Sequence, residues 1–301
     1  MQLLKAELEL RLSRALAALR DSSEPLEKRV HETRRQLKRL RATYAIVGEE
    51  NPLGTSDRFG IAAVARSLGR LRDPFAQLSV WREFSQSLEP ELATEIQQLL
   101  ERRQANTAAP ERMQRTLQRS ERVLETLQDR VSQYAASPAP TNDPLAQNAF
   151  CGIRAAYRKA RHRLRRAQQK ASWKRLHALR RASQWHRYQL QLLQEFVGKQ
   201  LTSEVKRAAR LVDQLGLHHD LGAIERYLGT VPGTTSTQAR RVLRGQMRKL
   251  ATSALRHARK VFSESPAAFE RRIRGYVLER APAVVSVARS GEAVEGGAEG
   301  G

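Results

Sequence analysis

The chain has 301 residues, with 54 lysines and arginines against 31 acids, a net charge of +23 and an isoelectric point near 11.2. With 40% hydrophobic residues it can build a core and should fold unaided, as one large helical domain or two of ordinary size. So large an excess of cations repels copies of itself and attracts polyanions, and a single cysteine, Cys151, excludes an internal disulfide and a thiolate-rich metal site.

The first stretch, MQLLKAELELRLSRALAALR, alternates charge with leucine and lacks the uncharged centre of a secretion signal. No run of about 18 apolar residues follows anywhere, so no membrane span or membrane partner is expected and a cytoplasmic, soluble protein is predicted. Leucine and alanine at three- and four-residue spacing predict helices over residues 2–20, 25–47, 58–70, 75–88, 91–105 and 110–134. After the connector AASPAPTNDP, placed at 137–145, further helices are predicted over 146–169, 173–197, 203–214, 221–229, 236–263 and 267–279. The glycine-rich end, 281–301, reads as a disordered tail. Cys151 reads as a small buried apolar residue.

The two parts resemble each other. VHETRRQLKRLRATY at 30 aligns with LHALRRASQWHRYQL at 176, pairing His31 with His177, Arg34 with Arg180, Arg35 with Arg181 and Arg41 with Arg187 at an offset of 146. SLGRLRDPF at 67 aligns with QLGLHHDLG at 214, pairing Leu68 with Leu215, Gly69 with Gly216 and Asp73 with Asp220 at an offset of 147. Arg11 and Arg14 fall 147 residues before Arg158 and Arg161. Three blocks in register imply a duplication: repeat one over 1–136 and repeat two over 146–280.

On a helical wheel Val30, Thr33, Leu37, Leu40, Tyr44 and Val47 gather on one side, which should face a core. His31, Arg34, Arg35 and Lys38 lie opposite, with Arg41 near the border. The second copy repeats the pattern: Leu176, Leu179, Leu190 and Leu193 oppose His177, Arg180 and Arg181, with Gln184 in place of the lysine. The preceding helix sets Arg154, Arg158, Arg161 and Arg165 in one cationic line. Between Asp143 and Glu195 there are 13 basic residues and no carboxylate, so the partner of this charge must come from elsewhere in the fold or from a ligand. In the first half Glu7, Glu9, Glu27 and Glu32 dilute the field, Glu27 lies one turn before His31 and can pair with it, and the second half should bind an anion more strongly.

These repeated residues resemble the CHAD domain, the conserved histidine α-helical domain, over roughly residues 1–280. The resemblance implies an all-α fold, with two pseudosymmetric four-helix bundles around a basic central cavity. It also implies binding of inorganic polyphosphate and association with polyphosphate granules. Carried onto this sequence, the phosphate-facing residues would be His31, Arg34, Arg35, Lys38, Arg41, His177, Arg180, Arg181 and Arg187. The arginines of the preceding helices, Arg11, Arg14, Arg154, Arg158, Arg161 and Arg165, would join them. The residues agree with that implication independently: an unbranched phosphate chain has no base to read, so cation density and the fork-shaped donors of arginine suffice to hold it.

Other readings fare less well. His177, His219 and Asp220 suggest an HD-type metal hydrolase, but no aspartate follows Asp220, and Arg72 stands where a ligand should match His219. Asp73 and Asp220 read instead as helix N-caps, with Pro74 at a first helical position. Phosphotransfer on His31 or His177 would not need so many cations. ELELR at 7–11 resembles the ExExK signature of triphosphate tunnel enzymes, but in a helical setting. His186 falls on an apolar stripe and reads as a core histidine; His162, His218 and His257 read as surface. No metal, cofactor or catalytic activity is expected. Nucleic-acid binding is the main alternative, although aromatics are only 5% and Trp173, Trp185 and Tyr188 form no obvious stacking platform.

Overall fold

A computed structural model of the chain describes residues 2–47, 55–107, 110–136 and 144–292. Among these residues no strands are found, as the leucine and alanine spacing predicts, and the twelve predicted segments form ten α-helices. They are α1 (Gln2–Arg20), α2 (Leu26–Val47), α3 (Thr55–Phe84), α4 (Pro90–Thr107) and α5 (Pro110–Ala136), then α6 (Pro144–Gln169), α7 (Trp173–Val197), α8 (Thr202–Leu228), α9 (Thr234–Val261) and α10 (Pro266–Glu292). No helix among the described residues is long and apolar enough to cross a membrane.

Each amphipathic stripe finds a neighbour. Val30, Thr33, Leu37, Leu40 and Tyr44 of α2 are buried, as are Leu176, Leu179, Leu190 and Leu193 of α7. α1 packs on α2 and α5, and α3 closes the group by packing on the same two helices. Their leucines form one core, with Leu8, Leu12, Leu37, Leu68, Leu71 and Leu124 among its members. α6, α7, α8 and α9 close a second group, with α10 laid on α6 and α7. Between the groups α2 packs on α7, α3 on α8 and α4 on α9.

A third core lies where these last pairs meet, and it draws on both parts of the chain. Leu78 and Trp81 of α3, Ile96 and Leu100 of α4, Leu221 and Ile224 of α8 and Leu243 of α9 fill it. α3 therefore leaves one core after Leu71 and enters another at Leu78. α8 does the same between Leu215 and Leu221.

That double anchoring corrects the predicted break in each helix. The segments 58–70 and 75–88 are one helix through Pro74, and 203–214 and 221–229 are one helix through the HHD sequence. Proline removes a backbone donor and crowds the turn before it, and glycine and aspartate favour turns, so the local signals favour an interruption. Burial on both sides outweighs them, because apolar area is buried at each end of a helix that stays continuous. Asp73 and Asp220 are accordingly helix-interior residues and not N-caps.

α6 crosses the end of α2 at Gly152, where a Cβ would stand only 2.9 Å from the Ala45 carbonyl oxygen. Only glycine allows that approach without displacement. Several other expectations need correction. Cys151 is exposed, not buried. His218 is 5% exposed, not a surface residue. The last helix runs on to Glu292, so the first part of the expected tail is helical; Ala281, Ala283 and Ala288 favour continuation, whereas Pro282 and the valines do not. Residues 137–143 of the connector and 293–301 of the tail lie outside the described residues. His186 is a core histidine as expected, with its ring 5.3 Å from those of Tyr157, Phe262 and Phe269.

Candidate polyanion site

The crossover level of α3 and α8 lies beside the basic faces of α2 and α7. Arg34 reaches from α2 onto α3, donates from Nη1 to the Ala65 carbonyl, and lies over Gly69, where a Cβ would meet its Cζ at 3.2 Å. Arg180 reaches from α7 onto α8 and lies over Gly216, with Nε 3.8 Å from the corresponding Cβ position. The glycines that pair in the sequence thus lie beneath the arginines that pair in the sequence.

The two copies of the motif meet here. Burial holds the Arg34 guanidinium below its usual pKa, with Arg72 and Arg180 adding repulsion that Asp73 and Asp220 partly offset. Burial also drives the Lys38 ammonium down to about 7, assisted by Arg180, Arg34 and Arg72. Burial by itself would raise the Asp220 carboxyl, but His219, Arg180 and Arg72 hold it low. Asp220 is therefore an anion within a ring of cations, tied to His219 by a 2.9 Å hydrogen bond.

His177 lies in a stack. Its ring lies 5.2 Å from that of Trp173, with only 4° between their planes, and 4.7 Å from that of His219. The Arg226 guanidinium lies over the Trp173 ring, 3.5 Å from its centroid. Burial, then His219 and the arginines, push the His177 imidazole down to about 4. His177, His219 and Asp220 are thus neighbours, but the two imidazoles meet face to face, which does not aim their lone pairs at a shared point. No cluster of three or more metal-ligating side chains occurs among the described residues.

The donors outnumber the acceptors. Nε of Arg34, Arg72 and Arg180 and Trp173 Nε1 are buried donors with no acceptor in the protein, and His177 Nδ1, a donor or an acceptor according to the ring's tautomer, is likewise unpaired. Buried polar groups are nearly always paired, so these unpaired donors make the junction a candidate for acceptors from outside the fold, although Arg39, Tyr44, Ser183, Arg187, Gln189 and Gln191 also carry unpaired buried atoms.

His31 stands on the first-half edge of this site. Partial burial, with Arg72 and Lys38 close by, holds its imidazole below the usual value. It also lines a cleft of about 460 Å³ together with Asp21, Glu24, Glu27 and Glu32 and the cations Lys28 and Arg29. Glu27 makes no hydrogen bond to His31 among the described residues. Towards the ends of α2 and α7, Arg41 lies 5.5 Å over the Trp185 ring, Lys159 lies 5.3 Å from the same ring, and Arg39 lies 5.9 Å from Tyr188. Arg181 lies within electrostatic reach of Arg41.

The remaining predicted residues divide. Arg11 is 3% exposed and bonded to Glu7 at 2.6 Å, so it belongs to the fold and not to a ligand surface. Arg35 pairs with Glu32 at 2.8 Å, Arg154 with Glu270 at 3.3 Å and Arg187 with Asp213 at 3.4 Å. Part of the counter-charge missing from the sequence around α6 and α7 is therefore supplied by α8 and α10. Arg14, Arg158 and Arg165 are exposed and Arg161 is half-buried, none of them with a carboxylate partner among the described residues. Arg72, Trp173, His219, Asp220 and Arg226 belong to the site although they were not expected as ligand-facing residues. The offset that pairs Arg72 with His219 carried the signal, and the turn reading of that segment hid it.

A model described as the CHAD domain matches residues 6–229. The crystal structure of the CHAD domain from the plant Ricinus communis is similar at a TM-score of 0.68 and 19% identity, covering 87% of this chain and 90% of that one. PptA from Streptomyces chartreusis is similar at a TM-score of 0.54 and 18% identity, covering 87% of this chain and 98% of that one. No curated protein matches the sequence.

Proposed function

The chain belongs to the CHAD domain family, and from that membership and the site's geometry we propose that it binds inorganic polyphosphate without catalysing a reaction on it. The observation that carries the reading is the set of buried, acceptor-free donors on Arg34, Arg72, Arg180 and Trp173. Guanidinium forks match the oxygens of successive phosphates, and a chain with about one charge per internal phosphate fits a track of cations better than a single large anion does. Asp73 and Asp220 lower the arginines' mutual repulsion before any ligand arrives. The basic elements of the two motif copies meet as a pseudo-twofold pair, with the ligand between them in a basic central cavity. A protein of this kind would act in the cytoplasm, at polyphosphate granules.

Nucleic acid is the competing ligand, and the aromatic residues argue against it. Trp173 is covered by Arg226 and His177, and Trp185 is flanked by Arg41 and Lys159, so neither offers a bare ring for a base to stack on.

A salt-series titration with long polyphosphate, RNA and DNA at matched charge tests the proposal. Affinity for polyphosphate should exceed that for either nucleic acid and fall linearly on a log–log plot against salt, as release of condensed counterions requires. Polyphosphate that fails to displace bound RNA at equal charge would overturn it.

A further inference from the structure

A second cationic surface lies on the first group of helices, away from the paired motifs. The groove between α3 and α5 has a volume of about 640 Å³ and is lined by Arg66 and Arg70 on one wall and by Arg112, Arg115 and Arg119 on the other. Arg66 and Arg70 are one turn apart, and Arg112, Arg115 and Arg119 follow at i, i+3 and i+7, so each set shares one helix face. The groove is lined by no carboxylate. Its remaining lining includes small or apolar residues with the hydroxyls of Ser67, Thr116 and Ser120.

Three acids of these helices, Asp57, Glu121 and Glu125, are paired away from the groove, while Glu111 adjoins Arg112 at the start of α5 without lining it. Glu121 and Glu125 of α5 turn towards α1 and bind Arg20. Asp57 of α3 binds Arg130 at 2.7 Å. None of the five groove arginines has a carboxylate partner among the described residues, so their repulsion across the groove is unrelieved by the fold. Arg66 also lies near enough to Arg41 to disfavour its charge, as Arg181 does from α7. Arg41 is one turn beyond Lys38, and Arg181 adjoins Arg180. Cations therefore continue from the junction of α2 and α7 by way of Arg41 to the mouth of the groove.

We propose that the α3–α5 groove is a second binding segment for a linear polyphosphate, holding the stretch of a long chain that extends beyond the junction site. This rests on the polyphosphate reading given above. No aromatic side chain lines the groove, so a single-stranded nucleic acid would find phosphate contacts there but nothing to stack on.

The test uses the full chain carrying Arg112→Gln, Arg115→Gln and Arg119→Gln, compared with a control in which Arg241→Gln, Arg248→Gln and Lys249→Gln remove the same charge from exposed positions on α9. Thermal unfolding establishes that both variants fold. Long polyphosphate should bind the groove variant about tenfold more weakly than the unaltered chain and with a salt slope smaller by roughly 2–3, while tripolyphosphate, with only three phosphates to place at the junction, should bind both alike. The control should lose much less. Equal losses in the two variants, or an unchanged affinity and slope for long polyphosphate, would overturn the groove. A loss confined to RNA would overturn it also, by making the groove a nucleic-acid site. If the unaltered chain binds neither tripolyphosphate nor long polyphosphate, the function proposed above fails, and that result is distinct from failure of the groove alone.

Discussion

Burial beside Arg180, Arg34 and Arg72 leaves the Lys38 ammonium with a pKa of about 7, and this sets two opposed effects of one side chain. In the folded chain the charged form is disfavoured. Above about pH 10.5 the lysine is neutral in both states and contributes no penalty; as pH falls towards 7 the unfolded chain takes up the proton and the folded chain does not, so stability declines across that window and levels off below it. A bound polyanion reverses the preference and raises the pKa. Affinity should therefore grow as pH falls from about 9 to 7, with proton uptake on binding, and His177, held near 4 in the free protein, should extend the gain at lower pH. Lys38→Met is expected to raise the melting temperature of the free protein by a few degrees at pH 7 and to weaken polyphosphate binding about tenfold. Calorimetry with and without ligand checks both, and a variant that melts lower and binds as well would contradict this account of Lys38.

At the scale of elements, the informative feature is the uninterrupted course of α3 and α8 past their glycines. A mid-helix glycine ordinarily costs about 1 kcal/mol relative to alanine. At Gly69 that cost accompanies the close approach of Arg34, whereas at Gly216 the neighbouring Arg180 leaves ordinary contact distance. Gly216→Ala should therefore stabilise the chain by roughly 0.5–1 kcal/mol with little change in binding. Gly69→Ala should gain less stability, displace the Arg34 guanidinium from the Ala65 carbonyl, and reduce polyphosphate affinity severalfold. Urea unfolding and a binding titration of the two variants separate these outcomes. The paired glycines and arginines were visible in the sequence. Their contact was not, because glycine, aspartate and proline within ten residues carry the same local signal whether the chain turns or a guanidinium passes over it.

For the whole molecule, a net charge of +23 opposes compaction by self-repulsion, and this repulsion is screened within about 10 Å at moderate salt. The free protein should therefore melt at a higher temperature as salt increases from low ionic strength. Added polyphosphate should produce a larger rise at low salt by mass action, and that rise should vanish at roughly 1 M salt, where binding is lost. Melting curves over a salt series, with and without ligand, should thus converge. Curves that stay apart at high salt would mean that contacts other than charge hold the ligand.

The sequence by itself determined the helical class, the buried stripes of α2 and α7, and the paired His31–Arg34 and His177–Arg180 motifs, because periodicity and repetition are properties of the chain read along its length. It could not distinguish Arg11, neutralised by Glu7, or Arg154, paired with Glu270 from a helix over a hundred residues away, from arginines left without an acid. It also hid the place of Arg72 and Asp220 beside the basic faces and the stacking of His219 on Trp173 and His177, which depend on how α3 and α8 pack against α2 and α7. Only the tertiary structure decided which cations are balanced and which remain unpaired, since that depends on distances across packed helices and on how far burial removes each charge from water.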